Sequence, residues 1–395
     1  MPGVGNLIPA SDYNNIQTKI EGVMGAGSGQ SGYGQTLSSA QVTSTSVISA
    51  SGWAALRSDL LKARQHQTGI SQAANLIDVT ASTSATFTGY ISGTTLTVVS
   101  LTSGSIQKSM AVYDTSGLIL PGTVIQSGSG TSWTLAVQGS ATSQTVGSLG
   151  APIAITAYLV VTDLFLTEYS NFADACVAGK LTVAANQLSS ADAFSTNTRT
   201  TPWNGTLTNT VTITFPSAAA ARYYFNSGGD FRITANRSGG TTSGGAAVKN
   251  ATWDEMISTN LTTYPNAAGV VSMNYSTTAR TGSGTAYAIG FYSLTTTDQI
   301  IFSKDAPSGS YSVNKYIIRA RCNVANNTAG GATQVIFTIE FQDNSPNPNT
   351  TTYGPYGPFG TDESPDGTLV SNVYMGRPSG ANVTVPAPAV TQTGF

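Results

Sequence analysis

The fold is decided by the run QVIFTIEF at residues 334–341, in which polar and apolar side chains alternate. Alternation of this kind is typical of a β-strand with one buried face. It places four apolar side chains on that face, namely Val335, Phe337, Ile339 and Phe341. The run therefore predicts a core strand of a β-rich domain.

Further strand candidates lie on both sides of this run. They are Thr206–Phe215, Phe231–Ala235, Gly269–Tyr275, Ala286–Leu294, Gln299–Phe302, Tyr316–Val324 and Thr333–Gln342. One short helix is expected at Trp253–Ile257. Many short strands separated by turn residues predict a β-sandwich-like domain over residues 201–395. Its end, Val383–Phe395, has two prolines and no charge, and is expected to be an extended tail that orders only against a partner.

A second β-rich region spans residues 80–150. It is nearly uncharged, it contains the alternating run YISGTTLTVV (Tyr90–Val99), and glycine turns recur along it. These features predict a small all-β module. Because helical sequence resumes on both sides, we expect this module to be inserted into a helical domain.

The helical domain is predicted from residues 1–79 and 151–200, and it contains a repeat. The segment IPASDYNNIQTKI (Ile8–Ile20) aligns with ISASGWAALRSDL (Ile48–Leu60), and Ser11 and Ser51 are the expected helix N-caps. A third helix is expected at Asp163–Ala178, ending at Gly179. The predicted fold class is therefore mainly β: a small N-terminal helical domain with an inserted all-β module, followed by the sandwich-like domain.

Each copy of the repeat has an apolar face at helical spacing. The residues are Tyr13, Ile16 and Ile20 in the first copy and Trp53, Leu56 and Leu60 in the second. These faces are typical of a small amphipathic helix pair.

The composition argues against catalysis. Only one of 395 residues is histidine, 9% are charged, and the net charge is −2. Enzymes usually need groups that titrate or coordinate near neutral pH. A nearly neutral chain also has no long-range field to attract nucleic acid or an anionic membrane, and its low charge favours self-association. The sequence has no apolar run long enough for membrane insertion and no visible signal peptide.

The sequence gives little evidence for a catalytic or metal-binding site. His66 lies at a helix end, where a structural role is favoured. Three scattered Cys and His residues exclude zinc, no cofactor is expected, and Cys176 and Cys322 are interpreted as two unpaired thiols rather than a disulfide. A polysaccharide depolymerase would need an acidic pair, but Asp254 and Glu255 are adjacent on a helix and face different directions.

Three loops invite a functional interpretation. The acidic segment Asp362–Gly367 is either a hairpin turn, which is favoured, or a calcium loop. The glycine-rich segment Gly25–Gly34 is expected to be a flexible linker, since it lacks the Gly-Lys-Ser/Thr ending of a phosphate loop. The third loop carries the aromatic residues Tyr353, Tyr356 and Phe359, which either contact a receptor or pack over their own sheet.

Several stretches of the chain resemble structural proteins of tailed-bacteriophage virions, especially those of cyanobacterial phages. The resemblance rests on IPASDYN (Ile8–Asn14) with GYGQ (Gly32–Gln35), on Leu60 through HQTG (His66–Gly69), and on ARYYFNSGGD (Ala221–Asp230). It spans residues 1–70 and 155–385. Residues 80–150 resemble a Gly/Ser/Thr-rich module inserted in many phage tail and fibre proteins.

This resemblance implies a non-enzymatic virion component, assembled in the host cytoplasm. The expected role is a tail fibre or a baseplate- or neck-associated appendage that docks by its N-terminal helices and presents β-domains outward. The two apolar faces of the repeat are the expected docking surfaces. The expected partners are other virion proteins and copies of itself, with a homotrimer as first expectation, and a host-surface glycan. Two alternatives are a carbohydrate-binding host-adhesion module and a head decoration protein.

Overall fold

The computed structural model of the protein describes most of the chain, and the statements below concern that part. The described residues are 8–44, 46, 48–80, 83–137, 143–189, 195–257, 270–307, 309, 311–345 and 363–395, with the backbone alone of 352–354 and 357–359. They form two compact units. The first comprises Met1–Ser28 with Gln35–Lys180, and the second comprises Gly29–Gly34 with Leu181–Phe395.

Three helices of the first unit follow the sequence prediction closely. They are α1 (Ala10–Met24), α2 (Ala50–Thr68) and α3 (Asp163–Ala178). The predicted stop of α3 at Gly179 is confirmed, and α2 ends at Gly69 in the left-handed conformation (φ 79°). None of the helices in the described residues is both long and apolar enough to cross a membrane.

The predicted N-caps are wrong by one half-turn. Helix α2 begins after Ser49, whose side chain accepts a hydrogen bond from the Gly52 N–H at 3.1 Å, and not at Ser51. Helix α1 begins after Pro9, and not at Ser11. Both helices can begin earlier because alanine and serine are tolerated in a first turn. In α1, Pro9 precedes the first turn, and proline has no N–H that would need a partner there.

The predicted inserted module is a closed barrel. Its strands are β1 (Ser84–Gly93), β2 (Thr95–Gly104), β3 (Met110–Asp114), β4 (Val124–Ser129), β5 (Ser132–Ala136), β6 (Gln144–Val146) and β7 (Ile153–Leu159). Six of them form an antiparallel ring in the order β1-β2-β5-β4-β3-β7, closed by pairing of β7 with β1, and β6 adds to the end of β1. Apolar side chains fill the interior, as in other small barrels.

The module extends further than predicted. Its predicted end was residue 150, but β7 pairs with both β1 and β3, so the ring is incomplete without residues 153–159. Ile155 and Ala157 of this strand are buried in the barrel. Two hydrogen bonds then tie the barrel to the start of α3: the Ser109 hydroxyl donates to the Val160 carbonyl at 2.7 Å and lies 2.7 Å from the Thr162 hydroxyl.

The second unit contains two six-stranded sheets and two helices. The elements are β8 (Leu188–Ser189), β9 (Ser195–Arg199), β10 (Gly205–Thr214), α4 (Ala218–Asn226), β11 (Asp230–Ser238), α5 (Gly244–Met256), β12 (Val271–Met273), β13 (Thr278–Arg280), β14 (Thr285–Ala286), β15 (Gln299–Asp305), β16 (Lys315–Cys322), β17 (Gln334–Asp343), β18 (Thr352–Gly354), β19 (Gly357–Phe359), β20 (Thr368–Pro378) and β21 (Ala389–Thr393). A separate hairpin pairs β18 with β19.

The two sheets share one hydrophobic core. One sheet has the order β14-β15-β16-β17-β10-β21, and the other has the order β13-β12-β11-β20, with β8 and β9 both pairing with β20. All four predicted inward residues of β17 are fully buried in this core. Apolar side chains of β11, β12 and β20 in the other sheet belong to the same core, as expected for a sandwich. Strands therefore dominate the fold, and the predicted class is confirmed.

Three expectations for this unit are corrected by the structure. Residues 389–393 form an edge strand on β10, and the Phe395 ring lies 5.8 Å from that of Phe341, so the expected tail orders within its own sheet. Of the predicted strand Ala286–Leu294, only Ala286 pairs, because Phe291 enters the core through a 3₁₀ turn. Strand β9, assigned by sequence to the helical domain, pairs with β20 of the sandwich.

The glycine-rich segment is not a free linker. Residues 29–34 belong to the second unit and contact α4: the Asn226 side-chain amide donates to the carbonyls of Gln30 and Gly32 at 3.1 and 3.2 Å. Gly34 has φ 72°, and a Cβ there would lie 2.3 Å from the Tyr223 ring. Glycine is therefore required for the backbone to approach the helix, in addition to permitting the turn.

Candidate interaction surfaces

The six predicted docking residues form the core between α1, α2 and α3. Tyr13, Ile16, Ile20, Trp53, Leu56 and Leu60 are only 0–3% exposed. The Trp53 ring packs edge to face against Phe165 and Tyr169 of α3, at centroid distances of 4.9 and 5.5 Å. Because the third helix covers both apolar faces, they cannot contact another protein in this structure. The assignment of docking to these side chains is therefore corrected.

An apolar cavity lies where the two repeated helices begin. It has a volume of about 680 Å³ and is lined by Ile8, Pro9, Ala10, Ser44, Ser46, Ile48, Ala50, Trp53, Val79, Thr83, Leu159, Val161 and Phe165. None of these residues is charged. Ile8 and Ile48, which occupy the same place in the two copies of the repeat, both line it. The cavity is thus an apolar surface at the start of the repeated helices that their packing on α3 leaves open.

The outer wall of the barrel carries a pair of half-exposed tyrosines. Tyr113 of β3 and Tyr158 of β7 are 48% and 51% exposed, and their ring centroids lie 6.2 Å apart at an angle of 52°. The strand register makes them diagonal neighbours, because Tyr113 lies opposite Thr156 and Tyr158 lies opposite Ala111. Such rings offer flat apolar area at low entropic cost, and each keeps a hydroxyl for hydrogen bonding.

Hydroxyl groups continue this wall onto β1. Ser84 lies opposite Tyr158, and Thr86 lies opposite Thr156. This surface was not predicted from the sequence. Alternation could have placed both tyrosines on the outside, since their neighbours Val112 and Ala157 are buried in the barrel. The sequence alone does not show that β3 and β7 are adjacent, and so could not bring the rings together.

The two charged residues of the barrel sequence, Lys108 and Asp114, are both engaged. Lys108 pairs with Glu168 of α3 at 2.5 Å. Asp114 accepts hydrogen bonds from the backbone N–H groups of Ser116, Leu118 and Ile119. Although desolvation acts in the opposite direction, these donors hold the pKa of Asp114 below its usual range. The outer wall of the barrel therefore carries no uncommitted charge.

The predicted receptor-contact loop lies mostly outside the described residues. The backbones of Tyr353 and Phe359 belong to the β18–β19 hairpin, and Tyr356 is not described. The assignment of Tyr353, Tyr356 and Phe359 to receptor contact therefore stays a prediction.

In the acidic segment, Asp366 holds a turn together. Its carboxylate accepts hydrogen bonds from the Thr241 N–H at 3.0 Å, the Thr241 hydroxyl at 2.6 Å and the Asn250 side-chain amide at 2.5 Å. Desolvation opposes ionisation, but these donors prevail and lower the pKa of Asp366. They also occupy the oxygens that a cation would need, which favours the turn. In the described residues no group of three His, Cys, Asp or Glu side chains could hold a metal.

The other residues considered for chemistry have structural surroundings. Arg237 binds the Asp254 carboxylate in a bidentate manner, at 2.9 and 2.7 Å. His66 is fully buried in the last turn of α2. Neither cysteine forms a disulfide, as predicted, and both are buried. The Cys176 thiol donates to the Leu60 carbonyl at 3.6 Å, and burial raises its pKa to about 12.

Comparison of the chain with family models, with curated proteins and with solved structures gives no match.

Proposed function

We propose that this protein is a non-enzymatic structural component of a tailed-phage virion, located in a tail fibre or in an appendage of the baseplate or neck. The sequence resemblance given above motivates the proposal. In this role the protein acts by surface contact, with other virion proteins and copies of itself as partners.

The observation that carries the proposal is the outer wall of the barrel. Its interior is already filled, yet Val99, Leu101, Leu118, Leu149 and the two tyrosines Tyr113 and Tyr158 remain exposed. Since the two charged residues of the module are engaged, these exposed apolar side chains lie on a module without uncommitted charge. Adjacent exposed apolar groups, such as the rings of Tyr113 and Tyr158, are typical of contact surfaces. Low charge also removes the repulsion that keeps monomers apart.

The decisive experiment locates the protein in particles. Mass spectrometry of gradient-purified virions should detect it, and immunogold electron microscopy should place it on the tail. Labelling confined to the head surface would support a decoration protein instead. Abundance in the infected-cell lysate with none in purified particles would contradict the proposal.

Self-association has its own test. Light scattering of the purified chain is expected to give the mass of a homotrimer. Replacing Val99 and Leu101 together by threonine should shift the mass toward the monomer if the barrel wall is the contact surface. The matched control replaces Val248 and Val313, two exposed apolar residues of the second unit, in the same way. A wild-type monomer at high concentration would count against the assembly role.

The tyrosine pair favours a second candidate, a carbohydrate-binding module for host adhesion. Two tilted rings bordered by hydroxyl groups, without free charge, suit the apolar faces and hydroxyls of a neutral sugar. On a glycan array, Tyr113→Ala and Tyr158→Ala should each abolish the signal if the barrel binds. Loss of the signal only in Tyr356→Ala would assign binding to the predicted loop. Tyr287→Ala, which alters an exposed tyrosine elsewhere, is the control.

A further inference from the structure

Lys249 of α5 and Asp343 at the end of β17 form a fully buried pair. The Nζ atom lies 2.8 Å from Oδ2, and both side chains are 0% exposed. Other lysine–aspartate pairs in the described residues reach solvent, for example Lys315 with Asp305 at 3.1 Å, where the side chains are 44% and 65% exposed. Burial of a Lys–Asp pair is costly, because two charges lose their hydration.

The surroundings give the two carboxylate oxygens of Asp343 different partners. Oδ2 faces the lysine, whereas Oδ1 accepts a hydrogen bond from the Ser345 hydroxyl at 2.9 Å. Ser345 is itself positioned by its N–H, which donates to the Asn314 side-chain oxygen at 2.8 Å. The Tyr311 ring covers the lysine, with Nζ 5.5 Å from its centroid. An amine and a carboxyl group are thus held together, away from solvent, with a donor on the remaining oxygen.

We propose that Lys249 and Asp343 condense to form an intramolecular isopeptide bond. The ammonium first transfers a proton to Oδ2, which gives a neutral amine and a carboxylic acid. The amine nitrogen then attacks Cγ, and a new C–N bond forms while charge develops on Oδ1. On collapse the Cγ–Oδ2 bond breaks, Oδ2 takes a second proton from the nitrogen, and one molecule of water leaves. The third nitrogen-bound hydrogen remains on the amide, so atoms and charge balance without an added reagent.

Three features of the site favour this reaction. Exclusion of water keeps solvent from competing with the amine for Cγ and from hydrolysing the amide that forms. Fixed contact between the reacting groups replaces a bimolecular encounter. The Ser345 hydroxyl is already aimed at the oxygen on which negative charge develops. The exposed pair Lys315–Asp305 lacks burial, so it should remain an ion pair.

The bond would join α5 to the sheet strand β17 by a covalent link. It would close a loop of residues 249–343, which contains β12 to β17, and resist pulling apart of these two elements. The inference does not rest on the virion role, since the chemistry requires only this site.

The test uses the unaltered full-length chain. Its intact mass under denaturing conditions should fall below the mass calculated from the sequence by one water molecule. Trypsin should not cut after Lys249, and tandem mass spectrometry should identify a branched peptide joining it to Asp343. An intact mass equal to the calculated one, with cleavage after Lys249, would overturn the proposal.

Variants separate this bond from any other loss of water. Lys249→Met and Asp343→Ala should restore the full calculated mass, whereas Lys315→Met should keep the mass loss. In freshly synthesised protein, Ser345→Ala should slow bond formation by at least about tenfold, because it removes the donor to Oδ1. Mass loss that persists in Lys249→Met would place the modification elsewhere and refute the assignment. The wild-type mass remains decisive even if a variant does not fold.

Discussion

The rings of Tyr13 and Trp53, which occupy the same place in the two copies of the N-terminal repeat, meet edge to face with their centroids 5.0 Å apart and their planes at 82°. The Tyr13 hydroxyl also donates a hydrogen bond to the Gly52 carbonyl of α2 at 3.2 Å. Equivalent positions of the repeat therefore pack on each other. This contact explains why both copies carry an aromatic residue there.

This contact predicts a large difference between two substitutions. Trp53→Ala should lower the free energy of unfolding of the first unit by about 3–5 kcal/mol, because it leaves a cavity between α1, α2 and α3. Tyr13→Phe should cost about 1 kcal/mol, since it removes only one hydrogen bond. Urea unfolding followed by circular dichroism measures both. The control is Ile70→Ala at an exposed position, and a Trp53→Ala variant as stable as this control would disprove the packing role.

The glycine-rich segment offers a matched pair of substitutions. Gly34 and Gly29 both have positive φ, at 72° and 63°, so alanine should be strained at each by about 1–2 kcal/mol. A Cβ at Gly29 has nothing within 4 Å, whereas one at Gly34 meets the Tyr223 ring. We expect Gly34→Ala to be more destabilising than Gly29→Ala by about 1–3 kcal/mol in thermal or urea unfolding. Equal effects would indicate that residues 29–34 do not pack on α4.

The thiols of Cys176 and Cys322 should not react with thiol reagents until the protein unfolds. Burial raises the pKa of both Cys176 and Cys322, so little reactive thiolate forms near pH 8 and reagents cannot reach it. A thiol reagent such as DTNB should label neither cysteine in the native protein and both in denaturant. Cys176→Ser and Cys322→Ser identify which thiol reacts. Rapid labelling of the native chain at either cysteine would contradict the buried placement.

The lowered pKa of Asp366 predicts a dependence of stability on pH. Its folded-state pKa lies below the unfolded value of about 4, so ionised Asp366 stabilises the fold above that pH. This contribution should disappear as the pH falls through the lowered folded value. Asp366→Ala should cost about 1–3 kcal/mol at pH 7, because it leaves the donors of Thr241 and Asn250 without their acceptor.

The measurement compares urea midpoints at pH 7 and at successively lower pH. The difference between the wild type and Asp366→Ala should narrow below pH ~4. Asp305→Asn is the control, because its carboxylate is largely exposed and should give little difference at any pH. A difference that stays constant down to the lowest pH would show that ionisation of Asp366 is not the cause.

The sequence predicted an element well where residues within or next to that element mark its ends or its buried face. Helix α3 has its predicted bounds because a cap and a glycine define its ends, and β17 shows its alternation directly. By contrast, β7 was not predicted, because its sequence is part of an apolar run that continues toward α3. Its role as the closing strand also depends on pairing with β1 and β3, which are distant in sequence. Helix α4 and strand β20 were not among the predicted elements.

The candidate sites were less predictable for a physical reason. An amphipathic helix has the same pattern whether its apolar face meets a partner or another helix of the same chain, so Leu56 and Leu60 could not be assigned to the core by spacing alone. Glycine content likewise does not distinguish a flexible linker from close packing, as Gly34 shows. The Tyr113–Tyr158 and Lys249–Asp343 pairs join residues far apart in sequence, and only the folded chain brings each pair together.

The order of strand pairing has a consequence for synthesis in the cell. All barrel strands come from one continuous stretch, so the ring can close soon after β7 leaves the ribosome. In the sandwich, β10 must wait for β17, and β11 must wait for β20. Their apolar faces are therefore uncovered during much of translation, when pairing with the wrong strand leads to aggregation. Chaperone demand and inclusion-body formation should accordingly arise from the second unit, while the first is already folded.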